Sequence, residues 1–268
     1  MKKLILIIAC TMYLNAGLNT NIQNIIGSSA YNTHKNLINY VFSNKSAYYT
    51  NGQVNYVKLT QKLQSNGLLK LKFPSTRYVD ITFNISNTPT KSLKILKDVL
   101  KSLGHYYYFT QEVASDLNSI KWTIKLKTEA AINPLRLSTA LAKRNCKVTN
   151  IIREGSYRWN YSINSNNSNI YKAKNLVVNN QLALKKSLKP YMVKIDSANA
   201  IFINSNPGNR WFPNVVFYDN DLNIIDIYKD ENLQKSLRLD VPIDTKYIKI
   251  DDLYSLANLK RGISITKE

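Results

Sequence analysis

An aromatic platform for a sugar ring could be formed in the last third of the sequence by Trp211, Phe212, Tyr218 and Tyr228, with Arg210 next to the tryptophan. Flat aromatic faces suit the C–H surfaces of carbohydrates. Trp211 is the strongest candidate, because Arg210 and Pro213 flank it in a segment that we expect to be a loop. The alternative interpretation is that Trp211 fills a hydrophobic core and that the tyrosines are ordinary strand residues.

A second group of polar residues has the alternating oxygen atoms of a calcium-binding loop. These are Asp219, Asp221 and Asn223. The EF-hand pattern also needs a glycine and a distal bidentate glutamate, and neither is in place here. We therefore interpret the segment as a polar hairpin turn, and the sequence predicts no metal site.

Basic residues are scattered along the strands predicted for the first half of the chain. The sequence has 37 lysine and arginine residues against 17 acidic ones, a formal net charge of +20, which favours acidic partners. Alternation along a strand could place several cations on one sheet face, ready to bind a polyanion. The alternative is a solvated outer face, and no glycine-rich RNA-binding signature supports nucleic acid. The residues concerned are Lys70, Lys72, Arg77, Lys121, Lys125, Lys127, Lys147, Arg153 and Arg158.

No catalytic motif is found. The sequence has no Gly-x-Ser-x-Gly elbow, phosphate-binding loop, His-Glu-x-x-His or paired-cysteine site, and it predicts neither a cofactor nor an enzyme. Cys146 is interpreted as a small buried hydrophobic residue, since only His34 and His105 could supply an imidazole base. Residues 106–109 put aromatic rings on both faces of a predicted strand. Such a strand is covered on both sides or offers one face to a partner.

The first sixteen residues have the pattern of a secretory signal peptide. Two lysines precede the apolar run Leu4–Leu14, and Ala16 is a small residue at the expected cleavage site. The run is shorter than the roughly 20 apolar residues that span a bilayer. We therefore expect cleavage after Ala16 and a periplasmic mature protein with no transmembrane segment. The alternative is a lipoprotein acylated at Cys10, a position that shortens the apolar run below the usual length.

Hydrophobic periodicity predicts an α+β fold. Residues 17–52 form an N-terminal extension with a short helix at 33–43. A pattern of helix, strand, turn and strand then occurs three times over 53–163, and we expect these αββ units to form antiparallel sheets with helices on one side. Asparagine or threonine opens each helix. Gly67, Gly104 and Asn145 end them.

The polar segment 164–175 is expected to be a linker or an exposed turn. Beyond it, short strands separated by turn residues predict an all-β antiparallel sandwich over 176–268. The predicted strands are 176–178, 182–184, 190–196, 199–205, 213–219, 222–228, 235–241, 246–251 and 262–267.

Three stretches of this C-terminal region resemble a known class of domain. They are WFPNVVFYD at 211–219, KSLRLDVP at 235–242 and KYIKIDD at 246–252. They are similar to strands of the galactose-binding-like β-sandwich modules of bacterial exported proteins. The resemblance implies a module that binds glycans or serves as a non-catalytic accessory. It implies no particular binding residues, because the ligand loops of that class vary.

The signal peptide, the repeated units and the missing catalytic motifs favour a non-enzymatic periplasmic protein. Its expected role is a scaffold or docking component of a cell-envelope assembly of the secretion, pilus or flagellar type, with other envelope proteins as partners. The alternative is a module that binds glycan or peptidoglycan, which requires Trp211 to be exposed beside a groove. Binding to DNA or acidic lipid ranks third, because it rests on charge alone.

Overall fold

The computed structural model describes residues 17–171, 173–177 and 180–268. The predicted signal peptide, including Cys10, lies outside this part of the chain. The described residues form two units that divide between Asn169 and Ile170, within the polar segment 164–175. The first unit mixes helices with strands and the second consists mainly of strands, which confirms the α+β class. No helix in the described ranges is both long and apolar enough to cross a membrane.

The first unit begins with short helices, of which the sequence analysis found only one. The elements are α1 (residues 17–26), α2 (Ser28–Thr33), α3 (Lys35–Val41), a 3-10 helix (Lys45–Tyr48) and the hairpin of β1 (Tyr49–Thr50) with β2 (Gln53–Val54). In α1 the side chains of Leu18, Ile22 and Ile25 are completely buried. Their spacing places them on one helical face, so the periodicity that predicted α3 was also present here.

Three longer helices begin and end at the predicted residues, although the side chain of Thr88 at the start of the second makes no capping hydrogen bond. They are α4 (Tyr56–Ser65), α5 (Pro89–Ser102) and α6 (Pro134–Ala142). The side chains of Asn55 and Asn133 accept hydrogen bonds from N–H groups of the first turns of α4 and α6, which have no partner inside the helix. Gly67, Gly104 and Asn145 have φ angles of 69°, 92° and 55°. This left-handed conformation ends a helix, as predicted.

The strands between these helices form one five-stranded sheet in the order β4-β5-β3-β7-β6. The strands are β3 (Lys72–Ser86), β4 (Phe109–Ser115), β5 (Ser119–Ala130), β6 (Lys147–Glu154) and β7 (Arg158–Asn164). Every pair is antiparallel except β3 with β7, which is parallel. The expectation of purely antiparallel sheets is thus corrected to a mixed sheet. Since β5 already lies between β3 and β4, β7 pairs with the remaining side of β3.

The first predicted repeat contains one strand where two were expected. We expected strands at 68–73 and 77–85 with a turn between them at Pro74 and Ser75. In the structure residues 68–71 are not in a strand. β3 begins at Lys72 and continues through Pro74 and Ser75, and its pairing with β5 shifts between Lys72 and Arg77. This irregularity accommodates Pro74, which has no N–H to donate to the ladder. The chain therefore continues as a strand.

The two faces of this sheet differ in chemistry. One face carries buried apolar side chains such as Phe83, Trp122 and Tyr161 and packs against the longer helices. The opposite face, here called the polar face, contains no fully buried residue of β3, β5 or β7. Its polar members include Asp80, Thr82, Asn84, Lys121, Thr123, Lys125, Lys127, Arg158, Asn160 and Ser162. The face also carries Tyr78, which is exposed opposite Lys127.

The second unit consists of two sheets that contribute to one hydrophobic core. Its strands are β8 (Lys174–Leu176), β9 (Leu182–Leu184), β10 (Tyr191–Ile195), β11 (Ala200–Ser205), β12 (Pro213–Tyr218), β13 (Ile224–Lys229), β14 (Ser236–Asp240), β15 (Tyr247–Asp252) and β16 (Ile263–Lys267). Each overlaps one of the nine predicted strands. The sheet orders are β13-β12-β15-β10-β8 and β14-β11-β16-β9. Among the described strands β8 pairs with β10 in parallel, which corrects the expectation of a purely antiparallel arrangement. A 3-10 helix, Leu256–Leu259, precedes β16.

In the polar segment after β7, where we expected a linker or an exposed turn, two serines are buried, while Asn166, Asn167 and Asn169 are exposed. Ser165 is 1% exposed and Ser168 is 3% exposed. The Ser165 hydroxyl lies 3.0 Å from the carbonyl oxygen of Ser86, to which it donates, and 3.2 Å from the hydroxyl of Ser92. The hydroxyl of Ser165 is hydrogen-bonded, as buried polar groups usually are, whereas that of Ser168 has no hydrogen-bond partner among the described residues. The polar composition of the segment did not indicate that these two side chains are buried.

Candidate functional site

The structure places Trp211 in the core of the second unit. Its side chain is completely buried among residues from both sheets. The indole Nε1 donates a hydrogen bond to the carbonyl oxygen of Asp251 at 2.9 Å. A buried indole whose N–H bonds inward has no face to offer a sugar ring, so we do not retain Trp211 as a stacking residue.

Arg210, Tyr218 and Tyr228 of the predicted sugar site do not converge. Arg210 is exposed, while Tyr218 lies half-buried at the far end of β12, on the order of 20 Å along the strand. Tyr228 lies opposite Val215 on the neighbouring strand and packs against the core. Because side chains alternate along β12, Tyr218 points to the face opposite that of Val215 and Tyr228. No common surface joins these side chains.

The predicted polar turn is organised by Asp219. Its carboxylate accepts hydrogen bonds from the backbone N–H groups of Asp221 and Asn223, both at 2.8 Å, and from the Asn223 amide at 2.9 Å. These bonds close the turn between β12 and β13, as the turn interpretation predicted. In the described ranges, no group of three or more His, Cys, Asp or Glu side chains is placed to hold a metal ion.

A buried carboxylate that the sequence analysis missed fixes the loop around Trp211. Asp252 is 5% exposed. It accepts hydrogen bonds from the backbone N–H groups of Phe212, Tyr254 and Ser255 and from the Asn258 amide, at 2.8–3.0 Å. Asp252 thus joins two loops of the second unit. Its position at the end of an alternating strand gave no sequence signal for this role.

Cys146 is a buried thiol in the first unit. It is 2% exposed, and burial raises its pKa to about 11. The thiol is therefore protonated at neutral pH, whereas a nucleophile needs the thiolate. This environment agrees with the interpretation of Cys146 as a small hydrophobic residue.

Several of the basic residues do share the polar face. They are Lys121, Lys125, Lys127 and Arg158. However, Lys121 lies 2.9 Å from a carboxylate oxygen of Glu112, and Lys125 lies 3.6 Å from one of Asp80. Arg158 is directly opposite Glu154. Carboxylates placed between the cations reduce the positive potential that a polyanion would need.

The two edges of the five-stranded sheet differ in how they are covered. At the β6 edge Ile151 is buried, and the Tyr56 hydroxyl donates a hydrogen bond to the side-chain oxygen of Asn150 at 3.3 Å. At the other edge every residue of β4 is exposed, and no strand in the described residues pairs with its outer side. Residues 106–117, here called the edge segment, contain five exposed large apolar side chains: Tyr106, Tyr107, Phe109, Val113 and Leu117.

A cavity of about 420 Å³ lies in the first unit. It is formed at the C-terminal ends of α4 and α5 and the N-terminal end of α6. Its polar lining consists of Gln64, Lys72, His105, Thr128, Asn133 and Arg136. Its apolar lining consists of Leu69, Leu71, Leu103, Ala130 and Ala131. No carboxylate lines it, and burial together with the charge of Arg136 lowers the pKa of His105.

Sequence reasoning did not find this cavity, because its walls come from α4, α5, α6 and the ends of β3 and β5. Single residues such as His105 and Arg136 carried no motif. The chain was compared with protein-family models, curated proteins and solved structures, and none of them matches it.

Proposed function

We propose that this protein is an exported, non-enzymatic docking or scaffold component of a cell-envelope assembly, and that it binds another envelope protein through the edge segment. The observation that carries the proposal is the full exposure of β4 at an unpaired sheet edge. Proteins protect such edges with lysine, proline, a bulge or a cover, because an open edge recruits other strands. β4 has a bulge near Thr110, but it contains neither lysine nor proline.

The expected mode of binding is strand addition. A strand of the partner would pair with the outward N–H and C=O groups of β4 and extend the sheet. Tyr107 and Phe109, which are 92% and 70% exposed, would supply apolar contact area. The partner strand should therefore carry apolar side chains at alternating positions.

The second unit is proposed as an accessory module. Two sheets around one core support a β-sandwich, and the resemblance to galactose-binding-like modules supports the accessory role. The helix-strand-strand order of α5-β4-β5 and α6-β6-β7 supports the proposed duplication in the first unit. The glycan-binding alternative has lost the aromatic residue on which it depended.

Export is proposed from residues 1–16. Two lysines before the apolar run Leu4–Leu14, and the small residue Ala16 after it, support cleavage after Ala16. N-terminal sequencing of protein from a periplasmic extract tests this, and we expect Gly17 as the first residue. A chain that begins at Met1 in the cytosol, or one acylated at Cys10, would contradict it.

Docking is tested by photo-crosslinking in living cells. A photoreactive phenylalanine replaces Tyr107 in the edge segment or, as a matched control, Tyr40, which is 82% exposed in α3. We expect one discrete adduct with an envelope protein from position 107 and none from position 40. Phe109→Ser with Val113→Ser should abolish the adduct without unfolding the protein, because both side chains are largely exposed. Equal adducts from both positions, or an adduct that survives these substitutions, would refute the proposal.

A further inference from the structure

We infer that the cavity beside His105 binds a small organic anion that consists of a carboxylate or phosphate group on an apolar chain. This inference concerns a ligand site and is independent of the docking proposal. Three features of the cavity support it. They are its uncompensated positive charge, the side-chain amides of Gln64 and Asn133 (here called the amide wall), and its leucine and alanine side chains (here called the floor).

The charge of the cavity is positive and uncompensated. Lys72 and Arg136 contribute cations, and His105 contributes an imidazole. No carboxylate is in the lining, and within the described residues these three side chains make no hydrogen bond or ion pair with a protein group. Arg136 is close enough to His105 to disfavour its protonation. An anion between them would remove this repulsion and accept charge-assisted hydrogen bonds.

The amide wall is held in place by the start of α6. Asn133 accepts hydrogen bonds from the backbone N–H groups of Leu135 and Arg136 and donates its own amide to Gln64 at 2.9 Å. Since Gln64 accepts through its side-chain oxygen, its NH₂ group is left as a donor without a protein acceptor in the described residues. The wall thus adds a neutral donor to the cations, which suits an oxyanion.

The floor of the cavity indicates what the ligand carries besides its anionic group. Leucine and alanine side chains form it, among them Leu71 and Leu103. A bare inorganic ion would leave this apolar surface in contact with water. A volume of about 420 Å³ falls in the range of roughly 300–1,000 Å³ that holds small organic molecules. We therefore assign an apolar chain of several carbon atoms to the ligand.

The two histidines of the chain make the test direct. His105 is in the cavity, and His34, between α2 and α3, is outside it. The ring protons of both are followed by NMR in the tag-free mature protein during titration with hexanoate or hexyl phosphate. We expect saturable shifts and a raised pKa for His105, with His34 unchanged. The head group that binds more tightly shows whether a carboxylate or a phosphate is preferred.

Probes that lack one half of the ligand separate the two contributions. Acetate and inorganic phosphate should bind at least about tenfold more weakly than the hexyl compounds, since each buried CH₂ contributes to affinity. Hexanol should leave the pKa of His105 unchanged, because it carries no charge. Equal responses of His34 and His105 to the hexyl anions would overturn the inference.

Two variants with the same change of charge complete the test. Arg136→Gln removes a cavity cation, and Lys143→Gln removes an exposed cation that follows the same helix but lies outside the cavity. We expect about tenfold weaker binding of hexanoate or hexyl phosphate by Arg136→Gln. Lys143→Gln should bind as the unmodified protein does. If both variants bind equally weakly, the anion is attracted by net charge alone, and the inference of a specific site in the cavity is refuted.

Discussion

The two units of this chain use their β-sheets in different ways. The first unit covers one face of a single sheet with helices and leaves the polar face and the β4 edge exposed. In the second unit both sheets contribute to one core, and its largest aromatic side chain, Trp211, is completely buried there. A sheet that is covered on one side only thus keeps an exposed face and an exposed edge. The aromatic residue with the strongest sequence signal serves stability.

The edge strands extend the comparison. β13 is an edge of the second unit and exposes Ile225 and Ile227, but it also carries Asp226 and Lys229. Charged side chains on an edge discourage pairing with other chains. In β4 of the first unit the one charged residue is Glu112, which forms an ion pair with Lys121. The difference leaves β4 less protected than β13 against pairing with another strand.

The largest effect is expected from Trp211→Ala in the second unit. The substitution creates a cavity in the shared core and removes the hydrogen bond to Asp251. We expect the free energy of unfolding to fall by about 3–5 kcal/mol, measured by denaturant unfolding followed by circular dichroism. Trp211→Phe, which keeps most of the apolar volume, should lower the free energy of unfolding by less. A loss below about 1 kcal/mol would show that Trp211 is not a core residue and would restore the glycan hypothesis.

Two glycine substitutions, one in each unit, compare how tightly the backbone is packed there. At Gly262 of the second unit, φ is +80° and an added Cβ would lie 2.2 Å from the carbonyl oxygen of Leu184. Gly262→Ala should therefore cost about 2–4 kcal/mol, from left-handed strain and overpacking. At Gly155 of the first unit, φ is +73° and an added Cβ meets no atom within 4 Å.

Gly155→Ala should therefore lose only about 1–2 kcal/mol of unfolding free energy, the cost of the left-handed backbone alone. Both variants are measured by thermal and denaturant unfolding under the same conditions. Equal losses would mean that β16 does not approach β9 as closely as the structure shows.

A smaller effect is expected from Asn133→Ala at the start of α6. The variant removes the cap of two backbone N–H groups and the bond to Gln64. We expect a loss of about 1 kcal/mol, measured by urea unfolding. Lys143→Ala, beyond the other end of α6, serves as the control and should change the stability by less than about 0.5 kcal/mol. If both variants behave alike, Asn133 does not fix the amide wall of the cavity.

The smallest change in stability is expected for a substitution on the exposed surface of the first unit. Glu112→Gln removes the contact with Lys121 on the sheet surface, in which both side chains are about half exposed. We expect the free energy of unfolding to change by less than about 1 kcal/mol, and less at high salt. A larger loss would mean that the polar face stabilises the fold and is not surface available for binding.

Local chemistry predicted the parts of the fold that depend on neighbouring residues. The caps Asn55 and Asn133 and the helix-ending residues Gly67, Gly104 and Asn145 act as their types predict. The strands of the second unit followed from alternation and turn residues for the same reason. These features need only short stretches of chain, so a single sequence contains them.

The rest depends on contacts between distant residues. The parallel pairing of β3 with β7, the exposure of β4 and the cavity around His105 are set by which elements become neighbours. Trp211 shows the same limit, because a flanking arginine and proline suggested a loop while the tertiary core buried the side chain. Only α1 was missed although its signal was present, in the spacing of Leu18, Ile22 and Ile25.

The parallel contact between β3 and β7 also sets an order of events during folding. As the chain is synthesised from its N-terminus, β3 emerges early, but its second partner emerges only after α5, β4, β5, α6 and β6. Until Asn164 is available, β3 lacks its partner on one side, and the nascent sheet can recruit foreign strands there. Pairings of such large sequence separation form slowly. Premature association of incomplete chains is therefore most damaging before β7 has been synthesised.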